Sequence, residues 1–290
     1  MRILVTGASG GLGAYLIERL VSEGHAAIAW SGSNVGQRSG VPLRPVDLGD
    51  AGVVFPALDE AEPDAIVHLA AVSSASACLA DPERATRVNI DATARLADWC
   101  ERRGRRLVFT STDLVFSGQT AWNCEDDPAE PIQLYGRMKR DAEASVTAIP
   151  RGLVARMSLM FGLSRSGRPG FFDAAVADLR NGRPRSFFAD EYRTPLDYAT
   201  AATILIQLAH TNAVGTLHVA GSERMSRYDL MRRVAVAMKL DASLVLPSRQ
   251  NDAPGAEPRP ADVSLATHRL AQLCVDWKRP DVEAVAGVWR

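Results

Sequence analysis

The chain begins with a short apolar run that leads directly into a glycine-rich loop. Ile3-Leu4-Val5 is followed by Thr6–Gly13, in which Gly7, Gly10 and Gly13 recur at every third position. Between a strand and a helix, glycines at this spacing allow a tight turn and a close approach of the backbone to a pyrophosphate. The free N–H groups at the helix N-terminus favour the same anion. The loop therefore predicts a dinucleotide-binding βα unit, and a plain glycine-rich turn is the alternative.

Apolar runs and helical patterns alternate through the first 160 residues. Strands are predicted at Arg2–Thr6, Ala26–Trp30, Pro42–Pro45, Ala65–Ala70, Arg106–Ser111 and Gly152–Ser158. Helices are predicted at Gly11–Glu23, around Val53–Leu58, at Asp81–Arg103 and at Leu134–Ala148. Near-continuous apolar strands that alternate with helices are typical of a parallel sheet covered on both faces. We therefore predict an α/β fold, a doubly wound parallel sheet of the Rossmann type with ligands at the carboxyl ends of its strands.

The pattern changes after residue 160. Gly162–Gly170 and Arg249–Pro260 have the composition of loops. Between them, helices are predicted at Phe171–Arg180, Thr200–Ala209 and Ser226–Met238, the last with Ser226 as its N-cap, and a late strand at Gly215–Ala220. We expect residues 1–160 to form the dinucleotide-binding domain. Residues 161–290 are expected to form mainly a smaller, interwoven C-terminal lobe, from which some segments return to the main sheet.

Composition argues against several classes of function. Of the 290 residues, 47% are hydrophobic and 23% charged, and the formal net charge is −1. This balance is ordinary for a globular protein and gives no basis for binding nucleic acid or an acidic membrane. The cysteines form no CxxC pair, so neither a disulfide framework nor a metal site is expected; they are Cys78, Cys100, Cys124 and Cys274. No apolar run is long enough to span a bilayer, and we expect a cytoplasmic protein with reduced thiols.

The end of the second predicted strand indicates which dinucleotide the glycine loop would hold. A site that prefers NAD(H) usually places Asp or Glu there, to bind the ribose 2′-hydroxyl. Here Trp30–Asn34 carries no acid, whereas Ser31, Ser33 and Arg38 offer hydroxyls and a guanidinium to a 2′-phosphate. We therefore predict NADP(H) as the cofactor, with NAD(H) as the alternative.

Other residues are expected to line the same groove. Asp47-Leu48 follows the third predicted strand and would contact the adenine amino group, unless Asp47 only caps a helix. The fourth strand ends in the small residues Ala70-Ala71, whereas His68 is expected to be structural. From the glycine loop, the expected cofactor-binding residues are Gly7, Ser9, Gly10, Gly11, Leu12 and Gly13.

A tyrosine and a lysine four residues apart follow the fifth predicted strand of the first half. Tyr135 and Lys139 would share one helix face, and Tyr135 lies 23 residues after Thr112, which directly follows that strand. A free phenol has a pKa of about 10, too high for easy proton exchange at neutral pH. A neighbouring ammonium would lower that pKa toward the range that acid–base catalysis requires. Thr112 would donate a hydrogen bond to a substrate oxygen. The alternative for the Tyr135–Lys139 pair alone is a solvated helix surface.

Taken together, these motifs resemble those of an extended short-chain dehydrogenase/reductase, in particular the dTDP-4-dehydrorhamnose reductase branch. Ser111–Phe116, with the pattern Ser-Thr-Asp-x-Val-Phe, points to this branch. The other matching segments extend over nearly the whole chain: Thr6–Gly13, Asp47-Leu48, His68–Ala71, Val88–Ile90, Tyr135–Lys139, Arg156–Gly162, Arg193–Pro195 and Arg259–Leu265.

The resemblance implies an active site and a substrate. Thr112, Tyr135 and Lys139 would form a catalytic triad, in which Tyr135 protonates a 4-keto oxygen while the nicotinamide delivers hydride. Lys139 and Tyr135 would also contact the cofactor, as would Asn89 unless it is a packing amide. The implied substrate is a sugar nucleotide, whose diphosphate suits arginines of the second lobe. The expected substrate contacts are Ser73 and Arg193, with Arg156, Arg165, Arg168 and Arg183 as further candidates. The resemblance also implies a homodimer.

Two departures from the branch leave the sugar open. Leu114 stands where an aromatic residue is usual, and Ser117–Trp122 replaces an acidic turn. A sugar-nucleotide epimerase or dehydratase is a second hypothesis, although dehydratases tend to have Asp-Glu where this chain has Asp113-Leu114. A third is a nucleotide-binding regulatory subunit, similar to the methionine adenosyltransferase β subunit, which modulates a partner enzyme.

Overall fold

The computed structural model describes residues 1–252, 257–273 and 280–289. Eight strands form one large sheet, and the other six form three two-stranded ladders. The strands are β1 (Arg2–Thr6), β2 (Ala26–Ser31), β3 (Gln37–Arg38), β4 (Val41–Pro45), β5 (Ala65–His68), β6 (Arg106–Thr112), β7 (Gly152–Met157), β8 (Met160–Phe161), β9 (Arg185–Phe188), β10 (Tyr192–Arg193), β11 (Leu196–Asp197), β12 (Gly215–Val219), β13 (Met225–Ser226) and β14 (Val245–Ser248).

The large sheet has the order β12-β7-β6-β5-β1-β2-β4-β3. All its pairings are parallel except the edge pairing of β3 with β4. From β1 the chain builds outward through β2 to β4, and then returns to build the other half from β5. The strand order therefore reverses between β1 and β5, which is where open α/β sheets form a ligand crevice. The predicted doubly wound fold is confirmed.

Helices cover both faces of the sheet. On one face α1 and α8 pack against β1, β5 and β7 in a core that includes Ile3, Leu16 and Ile204. On the other face α2, α5 and α6 bury Leu4, Phe109 and their neighbours. The α-helices are α1 (Gly11–Ser22), α2 (Ala51–Ala61), α3 (Ala75–Ala80), α4 (Pro82–Thr86), α5 (Ala92–Arg103), α6 (Leu134–Thr147), α7 (Phe171–Arg180), α8 (Tyr198–His210), α9 (Arg227–Ala237), α10 (His268–Leu273) and α11 (Val282–Gly287). None of the described helices is long and apolar enough to cross a membrane.

A second apolar core lies in the C-terminal half. Side chains of α7, α9 and α11 meet there around Phe161, Phe172 and Phe187. Three ladders surround this core: β8 with β11, β9 with β14, and β10 with β13. The two halves are interleaved, because β12 pairs in parallel with β7 at the edge of the large sheet.

The predicted helix at Asp81–Arg103 is not one continuous α-helix. The chain forms α4, then a π-helical turn at Arg87–Asp91, and then α5. Asn89 lies within that turn, and π-helical turns often occur at functional sites. Part of the predicted loop Arg249–Pro260 lies outside the described residues, as does Cys274. Among the described residues Cys78, Cys100 and Cys124 are free.

Candidate active site

The glycine loop forms a tight cradle between β1 and α1. Gly7 has φ +69°, and a Cβ atom there would lie 2.9 Å from the backbone nitrogen of Ala70. A Cβ on Gly13 would lie 2.4 Å from the carbonyl oxygen of Gly7, so α1 packs too closely on the loop for any side chain. Gly10, the N-cap of α1, provides no side-chain hydrogen bond to the first turn. The N–H groups of that turn are thus available to an anion.

A cavity of about 390 Å³ opens beside this cradle, and we call it the β2-side cavity. It lies at the carboxyl ends of β1, β2, β4 and β5, around the reversal of strand order. The structure brings most of the predicted cofactor residues together in its lining: Gly7, Ser9, Gly10, Gly11, Leu12, Gly13, Ser31, Asp47, Leu48, Ala70 and Ala71. Ser73, predicted as a substrate contact, also lines this cavity.

Five predicted cofactor residues lie outside that lining: Ser33, Arg38, Asn89, Tyr135 and Lys139. Ser33 is exposed on the loop after β2. The guanidinium of Arg38 donates to the carbonyl oxygen of Ser166, in the second lobe. Asn89 is 1% exposed, accepts a hydrogen bond from the backbone nitrogen of Val72 at 2.8 Å and donates to its carbonyl oxygen at 3.1 Å. Asn89 therefore holds the segment after β5, which lines the cavity, rather than lining the cavity itself.

Asp47 and His68 have distinct surroundings. Asp47 lines the cavity and accepts a hydrogen bond from Gly49, whereas the N-cap of α2 is Asp50. The alternative that Asp47 caps this helix is therefore wrong. His68 is fully buried between the hydroxyls of Thr6, at 2.6 Å, and Thr93, at 3.1 Å. Burial, together with the Lys139 charge, lowers the pKa of His68 to about 3, so the imidazole is neutral and serves the structure.

Thr112 and Tyr135 belong to elements that are packed against each other. Thr112 is the last residue of β6, and its Oγ1 accepts a hydrogen bond from the backbone nitrogen of Leu114 at 3.2 Å. Tyr135 lies in the first turn of α6, beside Gly136. A Cβ on Gly136 would lie 2.2 Å from the Leu114 carbonyl oxygen. This contact places the beginning of α6 directly against the turn that follows Thr112.

Burial dominates the electrostatics of the tyrosine and the lysine. The pKa of Tyr135 is raised above its ordinary value, first by burial and then by Cys78 and Asp113. Burial lowers the pKa of Lys139 to about 7, although the Glu143 carboxylate raises it. The ammonium of Lys139 lies 4.0 Å from the centroid of the Phe109 ring. The predicted lowering of the Tyr135 pKa is therefore not found in the chain without a cofactor, where burial, the largest cause, raises that pKa.

A buried ion pair lies behind Lys139, one helical turn along α6. Arg156 on β7 donates to both carboxylate oxygens of Glu143, at 3.1 and 2.8 Å. Ser111 donates to the same carboxylate at 2.5 Å. Arg156 is thus engaged within the protein and is not placed to bind a substrate diphosphate.

Arg193, the predicted substrate arginine, lies in a second buried charge cluster. Its Nε is 3.6 Å from Oδ2 of Asp113, and its Nη2 is 3.0 Å from Oε1 of Glu191. Arg193 is 4% exposed, and it lines neither the β2-side cavity nor the cavity of about 420 Å³ on the other side of the glycine loop. Two carboxylates already compensate its charge, so the structure favours a role in holding Asp113, next to Thr112. Arg165 and Arg183 are also paired, with Glu18 and Asp178 respectively.

A second cavity, of about 420 Å³, lies on the other side of the glycine loop, and we call it the second-lobe cavity. It shares Ser9, Gly10 and Gly11 with the β2-side cavity and extends into the C-terminal core. Its lining also includes Arg168, a candidate substrate contact. The other lining residues were not predicted for a site from the sequence, chiefly Leu159, Phe171, Phe187, Tyr198 and Arg227. Their spacing in the sequence carries no motif, because separate elements bring them together.

The fold and the site define a class of protein: a Rossmann-type dinucleotide-binding protein with a Tyr-Lys pair beside the end of β6. The family model described as the RmlD substrate binding domain matches residues 1–287. The chain therefore belongs to this family, the RmlD-like branch of the extended short-chain dehydrogenases/reductases, which confirms the predicted resemblance.

Several known proteins are similar over nearly their whole length. The chain is 34% identical to the probable low-salt glycan biosynthesis reductase Agl14 of Haloferax volcanii, with 89% of the chain and 88% of the relative covered. It is 28% identical to dTDP-4-dehydrorhamnose reductase of Mycolicibacterium smegmatis, with coverage of 99% and 86%. It is also 29% identical to methionine adenosyltransferase 2 subunit beta of Pongo abelii, with coverage of 96% and 84%.

Solved structures agree in fold. A hypothetical dTDP-4-dehydrorhamnose reductase from Sulfolobus tokodaii superposes with a TM-score of 0.84 at 28% identity, covering 98% of both chains. The dTDP-4-dehydrorhamnose reductase of Bacillus anthracis, solved in complex with NADP, gives a TM-score of 0.85 at 22% identity, covering 98% of this chain and 96% of that one. These superpositions confirm the Rossmann architecture.

Proposed function

We propose that this protein is an NADP(H)-dependent reductase of a 4-keto group on a nucleotide-linked deoxysugar. One observation carries the proposal: the helix that bears Tyr135 and Lys139 packs directly on the turn after Thr112, at the edge of the sheet where the glycine cradle opens. The similarity to Agl14 and to dTDP-4-dehydrorhamnose reductase, both named as reductases, supports the same reaction class.

The residues of the β2-side cavity fit a dinucleotide. The cradle excludes side chains at Gly7 and Gly13, and the first turn of α1 offers free N–H groups to a pyrophosphate. Asp47, Leu48 and Ser31 surround the space for the adenosine half. Lys139 and Tyr135 would hold the nicotinamide ribose. The bound nicotinamide would supply the hydride for the reduction.

Side chains of this protein would supply the proton that the carbonyl oxygen receives. Because the pKa of Tyr135 is raised, its phenol is protonated at neutral pH and available to a carbonyl oxygen as that oxygen gains charge. The hydroxyl of Thr112 donates to Oδ1 of Asp113 at 3.3 Å. With a substrate bound, it would donate to the substrate oxygen instead. Lys139, four residues further along the same helix, would stabilise a phenolate formed in the reaction.

The second-lobe cavity would hold the nucleotide of the substrate. It adjoins the glycine loop, and aromatic side chains such as Phe171, Phe187 and Tyr198 offer surfaces for a base. Arg227 lines the same cavity and is oriented by Glu191 at 2.6 Å. We further propose that the chain divides near residue 160 into the dinucleotide-binding domain and the mainly substrate-binding lobe. The proposed enzyme would act in the cytoplasm as a homodimer.

The direct test is NADPH oxidation, followed by absorbance, with a panel of dTDP-, GDP- and UDP-linked 4-keto sugars. We expect oxidation with at least one of them, and NADH should serve less well. If the protein binds NADPH but oxidises it with no member of the panel, the reductase proposal is wrong.

A regulatory subunit is the second candidate, and the similarity to methionine adenosyltransferase 2 subunit beta favours it. A protein of this kind would bind the dinucleotide without turning it over and would associate with a partner enzyme. Purification from the native cell, with identification of a stoichiometric partner, combined with no NADPH oxidation, would support this candidate against the reductase.

A further inference from the structure

A segment of the second lobe crosses over the loop that follows β2. We call residues 163–168, between β8 and α7, the crossing segment. The hydroxyl of Tyr15 donates to the carbonyl oxygen of Leu163 at 2.8 Å, and Arg165 forms an ion pair with Glu18 at 2.6 Å. Two residues of α1 thus hold the segment over the dinucleotide-binding domain.

The far end of the crossing segment reaches the loop after β2. The guanidinium of Arg168 donates to Oδ1 of Asn34. The Nδ2 atom of the same asparagine donates to Oγ of Ser9, in the glycine loop, at 2.9 Å. Ser31 donates to the carbonyl oxygen of Asn34 at 2.5 Å. Asn34 therefore connects Arg168 to the end of β2, where the ribose 2′ group of a bound dinucleotide lies.

A second guanidinium also contacts the crossing segment. Arg38 donates to the carbonyl oxygen of Ser166, and its buried Nε has no hydrogen-bond partner. Neither Arg38 nor Arg168 forms an ion pair within the part of the chain that the structure describes, and both donate only to neutral oxygens. Arg227, the other arginine of the second-lobe cavity, forms an ion pair with Glu191. Two uncompensated cations thus converge on the end of β2, which itself carries no acid.

We propose that Arg168, on the second lobe, recognises the 2′-phosphate of NADP(H) together with Arg38, so that the specificity site for the cofactor spans both lobes. This inference rests on the proposed function only in taking a dinucleotide as the ligand of the glycine cradle. A ribose 2′-phosphate is a dianion with three acceptor oxygens, and two guanidiniums match its charge and its preference for forked hydrogen bonds. The phosphate replaces Asn34 and Ser166 as the hydrogen-bond acceptors of these arginines.

The experiment measures binding of NADPH and of NADH to the whole protein by calorimetry, without a sugar nucleotide. We expect Arg168→Gln to weaken NADPH binding by about 10- to 100-fold and to leave NADH binding unchanged, because only NADPH carries the 2′-phosphate. Arg168→Lys should retain part of the preference, since it keeps the charge but not the forked geometry.

The matched control is Arg233→Gln, which removes a guanidinium from the second lobe away from the crossing segment. Because Arg233 is paired with Glu223 and Glu283, we expect the ratio of NADPH to NADH affinity to stay that of the unmodified protein. Equal weakening of NADPH and NADH by Arg168→Gln would assign Arg168 to the pyrophosphate and overturn the proposal. An unchanged NADPH affinity would overturn it too. Both outcomes are independent of turnover, so they are distinguishable from a failure of the reductase proposal.

Discussion

Tyr135 is the residue on which the proposed chemistry depends, and its surroundings keep its proton in place. Burial raises the pKa of the phenol, and the nearby Cys78 and Asp113 raise it further. Such a phenol is a proton donor at neutral pH, and its loss of the proton becomes favourable only when negative charge develops on a substrate oxygen beside it. The sequence predicted the residue and its role, but it could not predict the direction of the pKa shift, since burial depends on the packing of α6.

Tyr135→Phe removes the phenolic proton and leaves the ring. We expect kcat to fall by at least about a hundredfold, the usual contribution of a general acid, while the dissociation constant of NADPH changes little. Steady-state kinetics and NADPH titration measure the two quantities. Tyr228→Phe, in the core of the second lobe, is the matched control and should keep full activity. Retained turnover in Tyr135→Phe would exclude Tyr135 as the proton donor.

Glu143 is a positioning residue whose charge acts through Lys139. Its carboxylate raises the pKa of Lys139, which burial lowers to about 7. In Glu143→Gln that pKa falls further, so Lys139 loses its proton at a lower pH. If the reaction requires the ammonium, the alkaline limb of the kcat/KM profile moves to lower pH, with activity recovered on the acid side.

The control for this shift is Glu143→Asp, which keeps the charge and should leave the alkaline limb in place. A uniform loss of activity at every pH in Glu143→Gln, with no movement of the limb, would assign the residue a purely structural role through Arg156 and Ser111.

At the scale of elements, the position of α6 decides whether Tyr135 meets Thr112. Gly136→Ala would place a Cβ 2.2 Å from the Leu114 carbonyl oxygen and 2.9 Å from Cβ of Pro131. The first turn of α6 must then shift away from the turn after Thr112. We expect a loss of about 1–3 kcal/mol in the free energy of unfolding, typical of overpacking, together with at least about tenfold lower kcat.

Thermal unfolding and steady-state kinetics test this prediction against the same substitution in another helix. In α2, Gly52→Ala would meet only Oδ1 of Asp50, at 3.3 Å, so stability and activity should be retained. Equal behaviour of Gly136→Ala and Gly52→Ala would mean that the contact between α6 and Leu114 does not constrain the active site.

The elements also show how far local sequence determines structure. Phe171–Arg180 was predicted with its observed bounds, because Gly170 precedes the helix and Asn181-Gly182 ends it. Ser226 caps α9 as predicted, in a capping box with Asp229. The π-helical turn at Arg87–Asp91 could not be predicted, because the sequence around it has the pattern of a continuous helix. It contains Asn89, whose amide is bonded to Val72, a residue from another part of the chain.

At the scale of the whole molecule, the glycine loop lies between two cavities. Ser9, Gly10 and Gly11 line both the β2-side cavity and the second-lobe cavity, so a dinucleotide on the loop would extend toward each lobe. The sequence predicted much of the lining of the β2-side cavity, because these residues follow successive strands. It did not predict the link from Arg168 to Asn34, which are 134 residues apart and belong to no shared motif.

The destination of the hydride tests most directly whether the protein reduces a 4-keto sugar. The protein is incubated with a 4-keto sugar nucleotide from the panel and with NADPH that carries deuterium at the transferable position of the nicotinamide, and the product is analysed by mass spectrometry and NMR. We expect the product sugar to gain one deuterium, at the carbon of the former keto group, and Tyr135→Phe to form almost none of this product. A product without deuterium, or no product from a protein that binds both ligands, would contradict the reductase proposal.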